Sequence, residues 1–141
     1  MKLEEIKDAI AQDLKIDRFN LVDESARTPN LFSKYLSIYM DEKAKLRAIQ
    51  RKFWETYKER REYYSGSAGD DKYKEEPFDR KIIRQDLDIW LDADNKIQDL
   101  KDRLTFQELI VEILERTLKE INNRNYVIRC MIDVIKFENG S

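Results

Sequence analysis

Hydrophobic side chains recur every three or four residues along most of the chain, which is the spacing of an amphipathic helix. The first such set predicts a helix over residues 2–14 and consists of Leu3, Ile6, Ile10 and Leu14. Asp17 is predicted to N-cap a short second helix that ends near residue 26. Thr28 and Pro29 are expected to interrupt the chain, because proline disfavours a helical residue before it. Pro29 also suits the first turn of the next helix, predicted from about residue 30 to residue 64.

The long helix predicted over residues 30–64 sorts its side chains by chemistry when it is turned about 100° per residue. One face is apolar and carries Leu46, Ile49, Phe53, Tyr57 and Tyr64. The neighbouring face, called the basic stripe here, carries Lys43, Arg47, Arg51, Lys58 and Arg61. Trp54 lies within this stripe, whereas the acids Asp41, Glu55 and Glu59 fall beyond it. The pattern predicts a helix that packs by one face and offers the next face to a polyanion.

The segment 65–77 is polar and contains two of the three glycines, which predicts an exposed, flexible loop. Gly66 is expected at the C′ position that ends the long helix. Residues 78–91 fit two patterns, because Leu87, Ile89 and Leu91 alternate as in a strand, whereas Ile83, Leu87 and Trp90 have helical spacing. We favour a helix for this segment.

Residues 94–121 contain the clearest heptad pattern of the chain. Its seam positions, all apolar except Gln107, are Ile97, Leu100, Leu104, Gln107, Val111, Leu114, Leu118 and Ile121, with a second seam at Phe106, Ile110 and Ile113. Two seams on one helix predict packing partners on two sides. Residues 122–125 (NNRN) are expected to form a turn, because asparagine tolerates a left-handed backbone.

The last predicted helix, residues 126–137, is apolar nearly all round, a pattern typical of a buried helix. Complete burial is hard to achieve at the end of a small domain, so this helix predicts self-association into a symmetric or ring-like homo-oligomer. The positions assigned to that contact are Tyr126, Ile128, Met131, Ile132, Ile135 and Phe137. Cys130 in the same helix is predicted to be a small buried residue.

Composition supports an all-α long-helix bundle with a hydrophobic C-terminal oligomerisation region. The 141 residues are 40% charged and include only three glycines and two prolines. They predict one helical domain over 1–141, with N-terminal helices in 1–64, a loop in 65–77 and oligomerising helices in 78–141. Histidine is absent and cysteine occurs once, which argues against an enzyme, a bound metal or cofactor, and a disulfide. With no apparent signal peptide or membrane span, a cytoplasmic location is expected.

Charge is segregated although the net value is only −2. Residues 34–61 contain nine bases and four acids, whereas residues 62–115 contain eight bases and fifteen acids. Such a basic stripe is most often the solvated face of a coiled-coil scaffold, and a scaffold without nucleic-acid binding is retained as the alternative hypothesis. The absence of acids from the stripe, the position of Trp54 and the nearby glycine-containing loop favour single-stranded nucleic acid, which is bound through phosphates and stacked bases.

Other polar positions have simpler explanations. Tyr63 is expected to be a freer ring than Tyr64 and the better stacking candidate. The acidic pairs Asp86/Asp88 and Asp92/Asp94 favour a solvated face or a helix cap over a metal site. An acidic surface for a basic protein partner is the functional alternative.

The chain resembles the UvsY family, the recombination mediators of T-even-type bacteriophages. The resemblance rests on three stretches: residues 31–36 (LFSKYL), residues 58–66 (KERREYYSG), and residues 123–128 (NRNYVI) followed by 137–140 (FENG). The central Lys-x-Arg-x-x-Tyr-Tyr-Ser-Gly is the most specific. This chain differs in having Asn125, where glycine is expected, and in the additional base Arg61.

The resemblance implies a non-enzymatic mediator that binds single-stranded DNA as a closed, ring-like hexamer or heptamer. Its implied partners are a RecA-like recombinase and a single-strand-binding protein, in the cytoplasm of an infected bacterium. In that family the Lys-x-Arg pair belongs to the DNA-binding surface, which maps here onto Lys58 and Arg60. The C-terminal region of the family carries oligomerisation. The alternative for this chain is a coiled-coil scaffold or adaptor without nucleic-acid binding.

Overall fold

A computed structural model describes residues 2–140. These residues form helices joined by irregular segments and turns, and they contain no strand. The helices are α1 (Leu3–Asp13), α2 (Leu21–Ser65), α3 (Asp70–Glu75), α4 (Leu87–Asp92) and α5 (Asn95–Glu138). The all-α prediction is therefore confirmed. No helix in this part of the chain combines the length and apolarity needed to cross a membrane.

The chain divides into two compact units, and both long helices contribute to each of them. Among the described residues, the first unit comprises residues 2–43 and 109–140, and the second comprises residues 44–108. Helix α1 lies in the first unit, whereas α3 and α4 lie in the second. The prediction of a single helical domain over 1–141 stays a prediction.

The core of the first unit forms where α1 packs against the N-terminal part of α2 and the C-terminal part of α5. Ile6, Tyr35, Leu114 and Ile121 are at most 1% exposed there. The buried Tyr35 hydroxyl donates a hydrogen bond to the Asp13 carboxylate over 2.8 Å. The helical spacing predicted for residues 2–14 is confirmed by α1.

Pro29 does not interrupt the chain, and that prediction is wrong. α2 runs without a break from Leu21 to Ser65, and the predicted short helix after Asp17 is its first part. Proline cannot donate to the carbonyl four residues earlier, so helix continuity here needs other contacts. Arg124 of α5 holds this part of α2 by donating to the backbone carbonyl of Glu24 and to Thr28 Oγ1. Asp17 instead holds the turn before α2, where its carboxylate accepts the Phe19 amide over 3.0 Å.

The turn predicted at residues 122–125 is also wrong, because α5 continues through it to Glu138. The side chains of this segment bond to α2. Arg124 pairs with the Glu24 carboxylate, and Asn125 Oδ1 accepts from Thr28 Oγ1 over 2.9 Å and from Ser25 Oγ over 3.2 Å. Among residues 2–140 only glycines have positive φ.

The core of the second unit contains Phe53 of α2, Leu91 of α4, and Ile97 and Leu100 of α5. The heptad predicted along α5 is confirmed across both units. Ile97, Leu100, Gln107, Val111, Leu114 and Ile121 are buried, and Leu104 and Leu118 are partly buried. In the second seam Ile110 is buried, whereas the Phe106 side chain is 51% exposed.

Gly66 ends α2 as predicted, with a φ of +82°. The Gly66 and Ser67 amides donate to the carbonyls of Tyr63 and Glu62, the pattern of a Schellman cap. The segment predicted as a flexible loop contains the short helix α3. Tyr73 of α3 and Glu76, the residue after it, form hydrogen bonds with Tyr63 and Arg60 at the end of α2. Of the ambiguous residues 78–91, only those from Leu87 onward are helical.

Candidate nucleic-acid interface

The second unit presents four cations of the basic stripe to solvent. Arg47, Arg51, Lys58 and Arg61 are exposed, and within residues 2–140 none of them forms an ion pair with a carboxylate. They follow one another at intervals of three, four or seven residues, so they lie on one side of α2. An α-helix rises by about 1.5 Å per residue, so this face extends roughly 21 Å from Arg47 to Arg61. It can therefore offer positive charge to several successive phosphates.

Lys43 belongs to the first unit and is also exposed. Its Nζ donates to the Tyr39 hydroxyl over 2.9 Å and lies 5.3 Å from the centre of that ring. The Tyr39 hydroxyl in turn donates to the Glu115 carboxylate over 3.0 Å. Lys43 is thus already held by neighbouring groups.

Trp54 lies in the second unit with 64% of its surface exposed, as expected from its position in the basic stripe. Its ring is held edge-to-face against Phe53, at 5.2 Å between centroids, and against Tyr57, at 5.7 Å. Phe53 is itself part of the core. The indole is therefore supported from beneath while remaining open to solvent.

Arg60 has a different environment, because it is only 5% exposed. Its Nε donates to Asp94 Oδ2 over 2.7 Å, and its Nη1 and Nη2 bind the two carboxylate oxygens of Glu76 at 2.9 and 3.1 Å. Its guanidinium carbon also lies 4.3 Å from the centre of the Tyr63 ring. All three nitrogens are occupied, so a phosphate would have to displace a carboxylate to reach them.

Asp94 connects this arginine to the start of α5. Its Oδ1 accepts the backbone amides of Lys96 and Ile97 at 2.9 and 3.1 Å, which makes it the N-cap of α5. Its Oδ2 accepts from Arg60 and from the Tyr64 hydroxyl, the latter over 2.6 Å. The helix-cap interpretation of this acidic position is confirmed.

The protonation equilibria of the group reflect these contacts. Burial acts to raise the pKa of Asp94, but hydrogen bonds from Tyr64, Arg60 and the Ile97 amide lower it below its ordinary value. The pKa of Glu76 is lowered chiefly by its hydrogen bonds to Arg60. Burial acts to lower the pKa of Arg60, but its three partners outweigh this effect and raise it. The group therefore remains a set of charged, paired side chains near neutral pH.

The prediction that Tyr63 is the freer ring is wrong. Tyr63 is 3% exposed, lies against the rings of Tyr73 and Phe78, and donates its hydroxyl to the Glu76 carbonyl over 3.2 Å. Tyr64 is the more exposed of the two, although its hydroxyl is bonded to Asp94. Both tyrosines thus pack the end of α2 against the segment that follows it.

The spacing of side chains along α2 contains a signal for the burial of Arg60 and Tyr63. Continuing the apolar face from Phe53 by alternate steps of three and four residues reaches Thr56, Arg60 and Tyr63. All of these positions are buried. Family resemblance alone assigns Arg60 to the DNA-binding surface, whereas its helical position is that of the seam.

The C-terminal part of α5 presents an apolar surface in the first unit. Its exposed members are Tyr126, Val127, Cys130, Val134 and Phe137. Of the positions predicted for self-association, Tyr126 and Phe137 are 64% and 84% exposed, and Met131, Ile132 and Ile135 are partly buried. Ile128 is 2% exposed and is part of the protein's own interior, so it is not available for a contact between subunits. Cys130 is exposed, which contradicts the prediction of burial.

Comparison with known proteins gives concordant results. Residues 9–141 match the family model described as "Recombination, repair and ssDNA binding protein UvsY". The recombination protein uvsY of Enterobacteria phage T4 is 24% identical over 140 residues, which cover 99% of both chains. Two crystal structures of the bacteriophage T4 recombination mediator protein UvsY, in different lattices, superpose with TM-scores of 0.86 and 0.82. Each is 24% identical and covers 98–99% of this chain and of its own, and these structural matches establish the shared fold.

The matched family model spans nearly the whole chain, and the helical fold agrees with that of the T4 protein. The chain therefore belongs to the UvsY family of recombination, repair and single-stranded-DNA-binding proteins.

Proposed function

We propose that this protein is a non-enzymatic recombination mediator that binds single-stranded DNA through the exposed cations of the basic stripe. Arg47, Arg51, Lys58 and Arg61 serve as phosphate ligands, with Lys43 as a further cation in the first unit. The observation that carries the proposal is the row of Arg47, Arg51, Lys58 and Arg61, which are exposed beside an exposed tryptophan and form no ion pair within residues 2–140, in a family described as single-stranded-DNA-binding. Cations on one helix face suit binding with little sequence preference.

Arg60 contributes indirectly in this proposal. Its contacts to Asp94 and Glu76 hold the C-terminal end of α2 against the start of α5 and the residue after α3, all within the second unit. Lys58 and Arg61, on either side of it along α2, are thereby kept on a rigid helix. Arg60 is a positioning residue, and Lys58 is a direct ligand.

The C-terminal apolar surface supports self-association as the second part of the proposal. Tyr126, Val134 and Phe137 are more than half exposed, and burying such side chains is favourable by roughly 25 cal/mol per Å². A closed homo-oligomer, in the hexamer-to-heptamer range implied by the family, repeats the DNA-binding face in every subunit. Binding by several weak sites on one strand then gives high avidity.

Such an assembly would hold a single strand ready for a RecA-like recombinase and help it to replace a single-strand-binding protein. The name of the T4 relative, a recombination mediator, supports this step. The acidic residues of 62–115 that are exposed are the surface we propose for a basic partner protein. The site of action would be the cytoplasm of the infected host.

A labelled oligonucleotide tests the DNA-binding part directly. Fluorescence anisotropy with oligothymidylate should show binding that weakens steeply as salt rises, because each phosphate contact releases counterions. Lys58→Ala and Arg61→Ala should weaken binding, whereas Lys81→Ala, which removes an exposed lysine outside the stripe, should not. Absence of binding at low salt would leave the scaffold alternative as the better description.

A further inference from the structure

Beside Trp54 the second unit has an open groove of about 530 Å³, a volume in the range of small-molecule sites. It is lined by Arg47, Gln50, Arg51, Phe53, Trp54 and Leu104. We infer that this groove is a nucleotide site in which one unpaired base stacks on the Trp54 indole while Arg47 and Arg51 bind the adjoining phosphates. The inference rests on the proposed DNA-binding function and deepens it by assigning a base contact, which a phosphate-only surface lacks.

The support of the indole is the first argument. A tryptophan that merely occupied the surface would gain by lying flat on its neighbours and covering apolar area. Trp54 instead meets Phe53 and Tyr57 edge-to-face, with interplanar angles of 79° and 71°. Its ring therefore lies parallel to neither neighbour, and 64% of its surface stays exposed, which leaves area on which a base can stack.

The charge around the ring is the second argument. Arg47 and Arg51 are one turn apart on α2, and both are exposed and line the groove with Trp54. No carboxylate is among the lining residues. A neutral apolar ligand would leave the guanidinium groups of Arg47 and Arg51 without a counterion. A nucleotide would instead place its base against the indole and its phosphate against the two arginines.

The remaining lining residues fit the same ligand. Leu104 and Phe53 supply an apolar floor, and Gln50 supplies an amide that both donates and accepts hydrogen bonds. An amide at this position can bond to the edge of any base. The site should therefore bind a single strand with little base preference, and an ordered duplex, whose bases are not free to leave the stack, much less well.

Abasic DNA separates base binding from phosphate binding. In a Trp90→Phe background Trp54 is the sole tryptophan, since the chain has two. Oligothymidylate should quench Trp54 emission, and an oligonucleotide of equal length built from abasic sites should not. The abasic strand should also bind roughly 5- to 150-fold more weakly, the equivalent of one stacked base. If Trp90→Phe perturbs folding, anisotropy with the natural chain and its Trp54→Leu variant measures the same preference.

Trp54→Leu should abolish the preference for bases over abasic sites, and Trp54→Phe should retain part of it. Phe106→Leu, which alters another exposed aromatic residue in the second unit, is the matched control and should leave the preference unchanged. Salt-sensitive binding with unchanged Trp54 emission, and equal affinity for the two strands, would overturn the base site while leaving the proposed function intact. A change in Trp54 emission on protein dilution without DNA would overturn it too, because a second subunit would then cover the ring. Loss of all binding at low salt would instead defeat the proposed function.

Discussion

Arg60 of α2 and Asp94 at the start of α5 form a buried ion pair, with 2.7 Å between Arg60 Nε and Asp94 Oδ2. The same carboxylate caps α5 through its other oxygen. Side chains of the pair are 6% and 3% exposed. A residue that family resemblance assigns to DNA is thus central to the packing of the second unit. Its neighbours Lys58 and Arg61 are the exposed cations.

This arrangement separates the consequences of two substitutions that lie two residues apart. Arg60→Ala leaves Asp94 buried without its cation, so it should lower the free energy of unfolding by about 3–5 kcal/mol. Lys58→Ala removes an exposed side chain and should change that free energy by less than about 0.5 kcal/mol. Urea denaturation followed by circular dichroism measures both.

Among folded proteins, the two substitutions should rank in the opposite order for DNA binding, so that Lys58→Ala weakens it more than Arg60→Ala does. Lys58→Ala should reduce the salt dependence, the slope of log K against log salt, by about 0.7 for each subunit that contacts the strand, the value for one phosphate of a single strand. Lys58→Ala with Arg61→Ala should reduce it by about 1.4 for each such subunit. For Arg60→Ala at a temperature where it is folded, a slope reduced as much as by Lys58→Ala would show that Arg60 contacts phosphate directly.

Stability should fall in acid because of Asp94. Its pKa is lowered in the folded protein from an ordinary value of 3.8, so the stabilisation is complete above that pH and is lost as pH falls through the folded value. Asp94→Asn keeps a capping side chain but cannot ionise, and should flatten the decline of stability as pH falls below 3.8. Unfolding midpoints across this range test it; Asp88→Asn, at an exposed position, is the control. A decline as steep in Asp94→Asn as in the natural chain would contradict the assignment.

Pro29 should lower the free energy of unfolding of the protein. It is exposed within α2, and no backbone N–H is available there for the Ser25 carbonyl. Pro29→Ala should therefore raise the free energy of unfolding by about 1–3 kcal/mol. Thermal denaturation would detect a gain of this size. A loss of stability would mean that the proline's rigidity in the unfolded chain outweighs its cost in the helix.

Self-association should depend on the exposed rather than the buried residues of the C-terminal surface. Val134→Lys with Phe137→Lys should reduce the sedimenting mass without loss of helicity, since both side chains are more than half exposed. Ile128→Ala should instead lower stability, because Ile128 is buried in the protein's own interior. An assembly of unchanged mass in the double variant would exclude this surface as the interface.

The local spacing of residues was sufficient to predict several features of the structure. The heptad of α5, the apolar spacing of α1, the exposed basic stripe and the Gly66 cap all depend on which residues follow one another within a few turns. Arg60 and Tyr63 also carried a signal of this kind, since they continue the three-and-four spacing of the seam from Phe53. The polar character of Arg60 hid that signal.

Helix continuity depended on contacts that local spacing cannot contain. By itself the sequence determined an all-helical chain, the faces of its helices and a local excess of positive charge, because these follow from the period of the helix. Only the tertiary structure decided that α2 passes through Pro29 and α5 passes through Asn125. The physical reason is that Arg124 of α5 pairs with Glu24, 100 residues away, and donates to the backbone carbonyl of that residue, which ties this part of α2 to α5 despite the proline. Likewise, burial of Arg60 became favourable only where Asp94 and Glu76 were brought to it by folding.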